Sequence, residues 1–202
     1  MYQKTVIVVG VGALGSHLVQ FLRNEANLFL IDFDRIEAKN MLSQFHGKPG
    51  GGKLKVDALK NTMQFLWGLK LDGVTVKLVD NNVDALLGRE FKWPVGITRK
   101  ADLVVDCLDN GKARRLVQGY VRQHNIPCLH GALAADGGFG RVIWDENFHI
   151  DDAAAGVPTC EDGAHLPFIA TVSAFLARSA QVFLTNGKKQ GWSIAPTRVE
   201  MV

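Results

Sequence analysis

Gly10, Gly12 and Gly15 follow a β-branched run, TVIVV at residues 5–9, at the spacing G-x-G-x-x-G. Leu14, Leu18, Phe21 and Leu22 then recur at helical spacing, so the glycines fall between a strand and a helix. In that setting Gly10 permits a tight turn, Gly12 lets a ligand approach the backbone, and Gly15 lets the helix pack closely on the strand. The free N–H groups and positive dipole end of the helix suit a phosphate. Asp32, 17 residues beyond Gly15 at the end of a second apolar run, LFLID, adds a carboxylate able to accept hydrogen bonds from ribose hydroxyls. These features fit an NAD(P)-linked oxidoreductase as well as an ATP-dependent enzyme. Alone, the glycine spacing is unspecific.

The elements needed to position these residues are legible as an alternation. Residues 33–52 show little periodicity and end in PGGG, which reads as an excursion over the active-site edge. Helical spacing resumes from Lys53 through Leu54, Ala58, Leu59, Met63, Leu66 and Trp67. A short strand is expected at 74–79, a brief helix in NVDALLG and a loop in WPVGITRK. DLVVDCLD, at 102–109, reads as a strand, followed by a helix at about 112–124, a strand in PCLHGA and another at about 140–145. Residues around 146–165, acidic and rich in Ala, Gly and Pro, read as a mobile crossover. An apolar helix at about 167–184 and a final strand, WSIAPTRVEMV, complete the pattern. The expected fold is α/β: one Rossmann-like, doubly wound, mostly parallel sheet with helices on both faces, a single domain over 1–202.

Composition narrows the classes. Of 202 residues, 47% are hydrophobic and 21% charged, the balance of a soluble globular chain. The net charge of +3 suits an anionic ligand without arguing for nucleic acid. The runs VVGVGALG and FIATVSAFLA carry Gly, Ser or Thr and read as too short for a membrane span. MYQKTVIVVG enters a strand directly, without the pattern of a signal peptide, so a cytoplasmic location is expected. Cys107, Cys128 and Cys160 are an odd, scattered set from which neither a disulfide framework nor a CxxC zinc site can be built.

Beyond the glycine loop, IDFDRIEAKNMLSQF contains D-x-D-x-I-x-x-x-N-x-x-x-Q, followed by Gly52 and Lys55, then DCLDNGKAR, then HGALAADGGFGRVIW. In these four segments, taken in order, the chain resembles the ThiF/MoeB adenylyltransferases, the superfamily of the activating enzymes of ubiquitin and its relatives. The resemblance covers about residues 5–185. It implies that Asp32 holds the ATP ribose, that Asn40 and Gln44 lie near the phosphates, and that Lys55 contacts them. It further implies that Asp109 is associated with Mg2+, and that Asn110 and Arg114 support the nucleotide pocket. The implied reaction is adenylation of the C-terminal carboxylate of a ubiquitin-like or sulfur-carrier protein ending in Gly-Gly, by a homodimer. Many members of the family carry two CxxC pairs; neither is present here, so no structural zinc site is expected. The general chemistry agrees. An Asp at the end of a parallel strand can offer oxygen to magnesium, a lysine at a helix start can follow phosphate charge, and fixed cations and amides stabilise charge building at the α-phosphate.

Other readings stand beside these. Asn40 also suits a loop cap, Lys55 a solvated surface, and Asp106, Cys107, Cys128 and His130 plain structural positions. Cys160, before the apolar helix, is placed to be an acyl-accepting nucleophile, yet Asp152, Glu161 and Asp162 surround it with charge that raises a thiol pKa. The family's N-x-x-R-Q pattern has Ser43 where the arginine belongs, and its N-terminal helix, which can present a second arginine, is not seen before the first strand. Arg35, Lys39 or Lys53 could substitute. The same departures leave open a catalytically weak binding module for a ubiquitin-like protein, and the activated carboxylate could belong to a small molecule or the acceptor be a tRNA base.

Overall fold

The structure, a computed structural model, describes residues 4–92, 96–134, 136–150 and 163–202. Its elements are β1 (Lys4–Val9), α1 (Ala13–Leu22), β2 (Ala26–Ile31), α2 (Lys55–Trp67), β3 (Asp72–Val74), α3 (Val83–Leu87), β4 (Phe91–Lys92), β5 (Thr98–Arg99), β6 (Leu103–Asp106), α4 (Gly111–His124), β7 (Cys128–Leu133), β8 (Gly140–Trp144), α5 (Leu166–Asn186), β9 (Trp192–Ala195) and β10 (Arg198–Met201). Eight strands form one sheet in the order β10-β9-β8-β7-β6-β1-β2-β3, and β4 pairs with β5 separately. Pairings from β3 to β7 are parallel, and β8, β9 and β10 continue the sheet antiparallel.

The β-branched run of β1 is buried on both faces because it lies between β2 and β6 and under helices on either side. Val6 and Val8 pack with Leu14 and Leu18 of α1, Leu59 and Met63 of α2, and Ile169, Val172 and Leu176 of α5. Ile7 and Val9 point the other way, into a second core with Leu87 of α3 and Val117 and Val121 of α4. This is the period-2 alternation of a strand covered on both sides. The chain leaves β1 toward one face and β6 toward the other, so a crevice opens between their C-terminal ends.

The sequence reading is adjusted in four places. WPVGITRK, expected as a loop, carries β5 at Thr98–Arg99, because those residues pair with Phe91–Lys92 of β4. The strand expected at 74–79 is confined to Asp72–Val74, because its partner β2 ends opposite it: Ile31 pairs with Val74, and the Asp32 N–H makes the last bond, to Val74 O. The final strand is a hairpin, β9 and β10, reversed at Pro196 and Thr197, with Arg198 opposite Ala195. The apolar run read as too short for a span belongs to α5, a 21-residue helix with mean hydropathy 1.4, long enough by length and composition to cross a bilayer. In the fold its buried stripe of Ile169, Val172, Leu176 and Ala180 lies on α1 and the sheet, as in a core helix.

Leu176 packs directly on the sheet: a side-chain carbon added at Gly131 of β7 would lie 2.9 Å from its Cδ2. Leu176→Ala should therefore destabilise the fold by about 2–5 kcal/mol. Urea unfolding, read as a lowered midpoint at unchanged slope, measures it.

Candidate functional site

The loop between β1 and α1 is fixed from several sides. Gly10 sits at φ +87, and a Cβ there would lie 3.0 Å from the Cys107 carbonyl, so the loops after β1 and β6 touch across the crevice. A side chain at Gly15 would collide with the Gly10 carbonyl, which is why helix and strand approach so closely there. The Gly10 N–H bonds Ile31 O at 2.8 Å. Asp32 accepts the Val11 N–H at Oδ2 and the Asp34 N–H at Oδ1, each at 2.8 Å. Burial raises the Asp32 pKa, against the pull of the Lys55 ammonium and these two amides. Gly12 caps α1, and Gly12 and Ala13 are half-buried while Val11 and Leu14 are buried, so the way to the helix N-terminus opens at Gly12.

The segment after β2 folds back onto that opening. Asn40 is buried; its Oδ1 accepts the Glu37 N–H at 2.9 Å, and the Glu37 side chain accepts the Asn40 N–H in return, a reciprocal cap on the 3-10 turn Ala38–Leu42. Ser43, in the family's arginine position, is fully buried, and the His17 ring bonds its carbonyl at 3.1 Å. The Phe45 N–H bonds Ser16 Oγ at 2.8 Å and the His46 ring bonds Val11 O at 2.9 Å. Gln44 lies over Gly12, its Nε2 3.9 Å from where a Cβ would stand. Its Oε1 is buried without a hydrogen-bond partner among the described residues.

Lys55, the first residue of α2, is buried, and its ammonium pairs with Asp34 Oδ2 at 3.0 Å. Its backbone N–H bonds Asp34 O at 2.8 Å. A flexible cation thus stands beside Asp32 and His46, close enough to act on both electrostatically. The cations considered as substitutes for the missing arginine are placed differently. Arg35 donates to Gly52 O at 2.9 Å, Lys39 pairs with Glu37 at 3.5 Å, and Lys53 is exposed.

After β6 the chain is held by a buried charge lattice. Asp106, wholly buried, accepts the Leu108 N–H at 2.9 Å and lies 2.7 Å from His130 Nδ1 and 3.3 Å from Arg114 Nη1. Arg114 donates to the carbonyls of Leu108 and Gly131, so it turns inward and braces the loop. His130 reaches on to Asp145 Oδ1 at 3.1 Å, stacks on Phe148, and has Cys128 Sγ at 3.5 Å. Burial alone would lower the His130 pKa, but the Cys128 sulfur and the two carboxylates override it and hold it raised. Asp109 is exposed and makes no hydrogen bond or ion pair among the described residues. Asn110 caps α4 by accepting the Ala113 N–H at 2.8 Å. Cys107 and Cys128 are free thiols with pKa values raised by burial. Cys160 lies outside the described residues.

Gly10, Gly12, Asp32, Gln44 and Lys55 therefore converge on one loop, and Asp109 stands on the loop that touches it. Gly15, Asn40, Asn110 and Arg114 shape these loops from within. His17 and His46 were not singled out from sequence; the one signal for His46 was nearness to the D-x-D…N…Q segment, and for His17 its place just after Gly15. An opening lined by helix N–H groups, with the Gln44 amide nitrogen over Gly12 and the Lys55 ammonium beside it, suits a polyphosphate. The exposed Asp109 carboxylate suits a cation that takes its other oxygens from such a polyphosphate, as magnesium does.

Fold and site together define a doubly wound α/β protein with a crevice at the β1/β6 switch point. Residues 1–196 match the ThiF family, and the chain belongs to it. It is 28% identical over 149 residues to ubiquitin-like modifier-activating enzyme 5 of Caenorhabditis elegans, covering 71% of this chain and 35% of that protein. To the Aedes aegypti protein of the same description it is 30% identical over 150 residues, covering 69% and 36%. In fold it is similar to E. coli MccB in complex with MccA, at TM-score 0.77 and 15% identity over 98% of this chain and 62% of that one. MccB with ATP gives 0.73 at 15% identity over 99% and 63%. The chain thus spans about a third of the length of these curated relatives and about three fifths of MccB.

The buried histidines impose a pH profile. Burial lowers the pKa of His17, and that of His46 to about 4, so both cost stability as pH falls below their unfolded value of about 6.5. His130 is raised, so its contribution is complete below about 6.5 and fades as pH climbs above it. Thermal stability should therefore peak within about a unit of pH 6.5, and His130→Gln should flatten the alkaline side. Melting curves from pH 5 to 9 that rise throughout would contradict this.

Proposed function

We propose that this chain is an ATP-binding adenylation unit that activates the C-terminal carboxylate of a small ubiquitin-like or sulfur-carrier protein ending in Gly-Gly. The observation that carries the reading is the meeting of three features at one crevice: the open helix N-terminus at Gly12 under Gln44, the Lys55–Asp34 pair, and the exposed carboxylate of Asp109. Membership of the ThiF family favours this over an NAD(P)-linked oxidoreductase. The relatives described as ubiquitin-like modifier-activating enzymes, and MccB solved with ATP, support the choice of nucleotide and acceptor.

In this reading Asp32 receives the ribose and the N–H groups at the start of α1 receive phosphate oxygens. Lys55 shifts from Asp34 toward the phosphates, and Asp109 holds Mg2+, which when bound neutralises charge on the polyphosphate. The acceptor's carboxylate oxygen bonds to the α-phosphorus as the bond to the bridging oxygen breaks, giving acyl-AMP and pyrophosphate. No general base is needed, since a carboxylate is already ionised at neutral pH. The protein's work is alignment and charge compensation. The homodimer expected for the family completes the proposal, with the exposed Phe21, Phe65 and Leu66 as apolar surface on α1 and α2.

Ser43 favours a second reading. Its buried place, with its carbonyl bonded to His17, leaves no cation where the family has an arginine, as in a binding module without strong catalysis. ATP–pyrophosphate exchange with a Gly-Gly acceptor separates the two. The enzyme should exchange, and Asp109→Ala should lower the rate about 100-fold or more while shifting stability by less than about 0.5 kcal/mol, since the side chain is exposed. Lys55→Ala should weaken ATP binding about tenfold. ATP binding without exchange would leave the module.

A further inference from the structure

The two peptide units around Val11 are each tied down at one end. The Val11 N–H is held by Asp32, and the Val11 carbonyl by His46 Nε2 at 2.9 Å. A carbonyl oxygen can only accept, so Nε2 carries the proton and Nδ1 keeps a bare lone pair. That Nδ1 is buried and has no partner among the described residues, in a side chain 5% exposed. In a trans peptide the C=O of one residue and the N–H of the next point in opposite directions. A Val11 carbonyl turned to His46 therefore turns the Gly12 N–H away from His46. Gly12 is also the point where the loop becomes accessible, and neither its N–H nor that of Ala13 is used by the backbone bonds of the loop.

We propose that His46 is a positioning residue for the phosphate-binding loop: by holding the Val11 carbonyl it fixes the Val11–Gly12 peptide with the Gly12 N–H presented to a phosphate of the nucleotide. The inference rests on the nucleotide reading above and adds the residue that orients its first phosphate contact. Were the peptide to flip, the carbonyl would face the phosphate in place of the N–H, and an attraction would become a repulsion. Charge is not the means. Burial, with the ammonium of Lys55 and the ring of His17 nearby, keeps His46 neutral at physiological pH, its pKa pushed down to about 4 although the Val11 bond works the other way. The groups facing the ring are Val11, Lys55 and His17, and all are compatible with the Nε2–H form. Neighbouring bonds hold the ring in place, since Phe45 N–H is tied to Ser16 and the Ser43 carbonyl to His17.

The test uses the whole chain with Mg-ATP and with adenosine, which lacks phosphate, binding being measured by calorimetry. His46→Phe fills the space without a donor and should weaken ATP binding about tenfold or more, leaving adenosine binding within about twofold. His46→Gln, whose amide N–H falls where Nε2 lies, should restore ATP binding. A purely structural role would weaken both ligands together, and that result overturns the proposal, as does a His46→Phe variant that binds ATP like the wild type. Should His46→Phe fail to fold, nitrogen-15 NMR of the wild type decides. An Nδ1–H ring, or a Gly12 amide unmoved by saturating ATP, overturns the proposal, whereas an Nε2–H ring and a shifted Gly12 amide support it. Wild-type protein binding neither ligand removes the nucleotide reading and this inference with it.

Discussion

A carboxylate with no exposure cannot stand alone, and Asp106, at the end of β6, is the group around which one side of the crevice is built. Its charge draws in Arg114 from α4 and His130 from β7, and its other oxygen takes the Leu108 N–H. Arg114, once there, also binds the Leu108 carbonyl, so both polar groups of that residue are held. The next residue is Asp109. The short loop is thereby held up to the exposed side chain of Asp109, and the lattice extends through Asp145 and Arg122 to tie the antiparallel end of the sheet to α4. Removing one member of such a lattice leaves another charge buried and uncompensated, which is more damaging than replacing the whole.

The facing loop reaches the same end by different means. Its glycines remove steric obstacles, and hydrogen bonds rather than ion pairs fix it, from Asp32 on one side and His46 on the other. Charge near it is held in reserve in the pair of Lys55 with Asp34, whose carboxylate is about half exposed. A neutral loop flanked by a paired lysine presents N–H dipoles without a fixed positive charge, so the pull on a polyphosphate is short-ranged and depends on geometry. This gives the crevice one half set by ionic compensation and one half set by peptide orientation.

Much of this was legible beforehand because its signals are local. The TVIVV run followed by spaced glycines, the Asp closing LFLID, and the alternation of apolar strands with amphipathic helices each need only a short window of sequence. The division of WSIAPTRVEMV into a hairpin was also locally signalled, by Pro196, but the β-branched residues on either side read as one strand. What was not legible depends on distant partners. The inward turn of Arg114 requires a buried Asp106 and the Gly131 carbonyl, 17 residues on. The loop-holding bond of His46 to Val11 spans 35 residues. Asn40 showed both a ligand's and a cap's chemistry and Asn110 was read only as a pocket residue, since a side-chain amide cannot reveal from sequence that its oxygen is engaged by a backbone N–H.

The antiparallel end of the sheet carries a consequence for diversity within this architecture. β7 runs alongside β6 and β8 returns beside it, so the turn joining them rises at the same edge as the crevice, where His165 at the head of α5 lies over Gly137. Residues added to or removed from that turn would remodel the rim of the crevice, while the register of β1 and β6 and the loops they carry stayed as they are. Border and frame can thus drift independently, the one replaceable, the other tolerating little change.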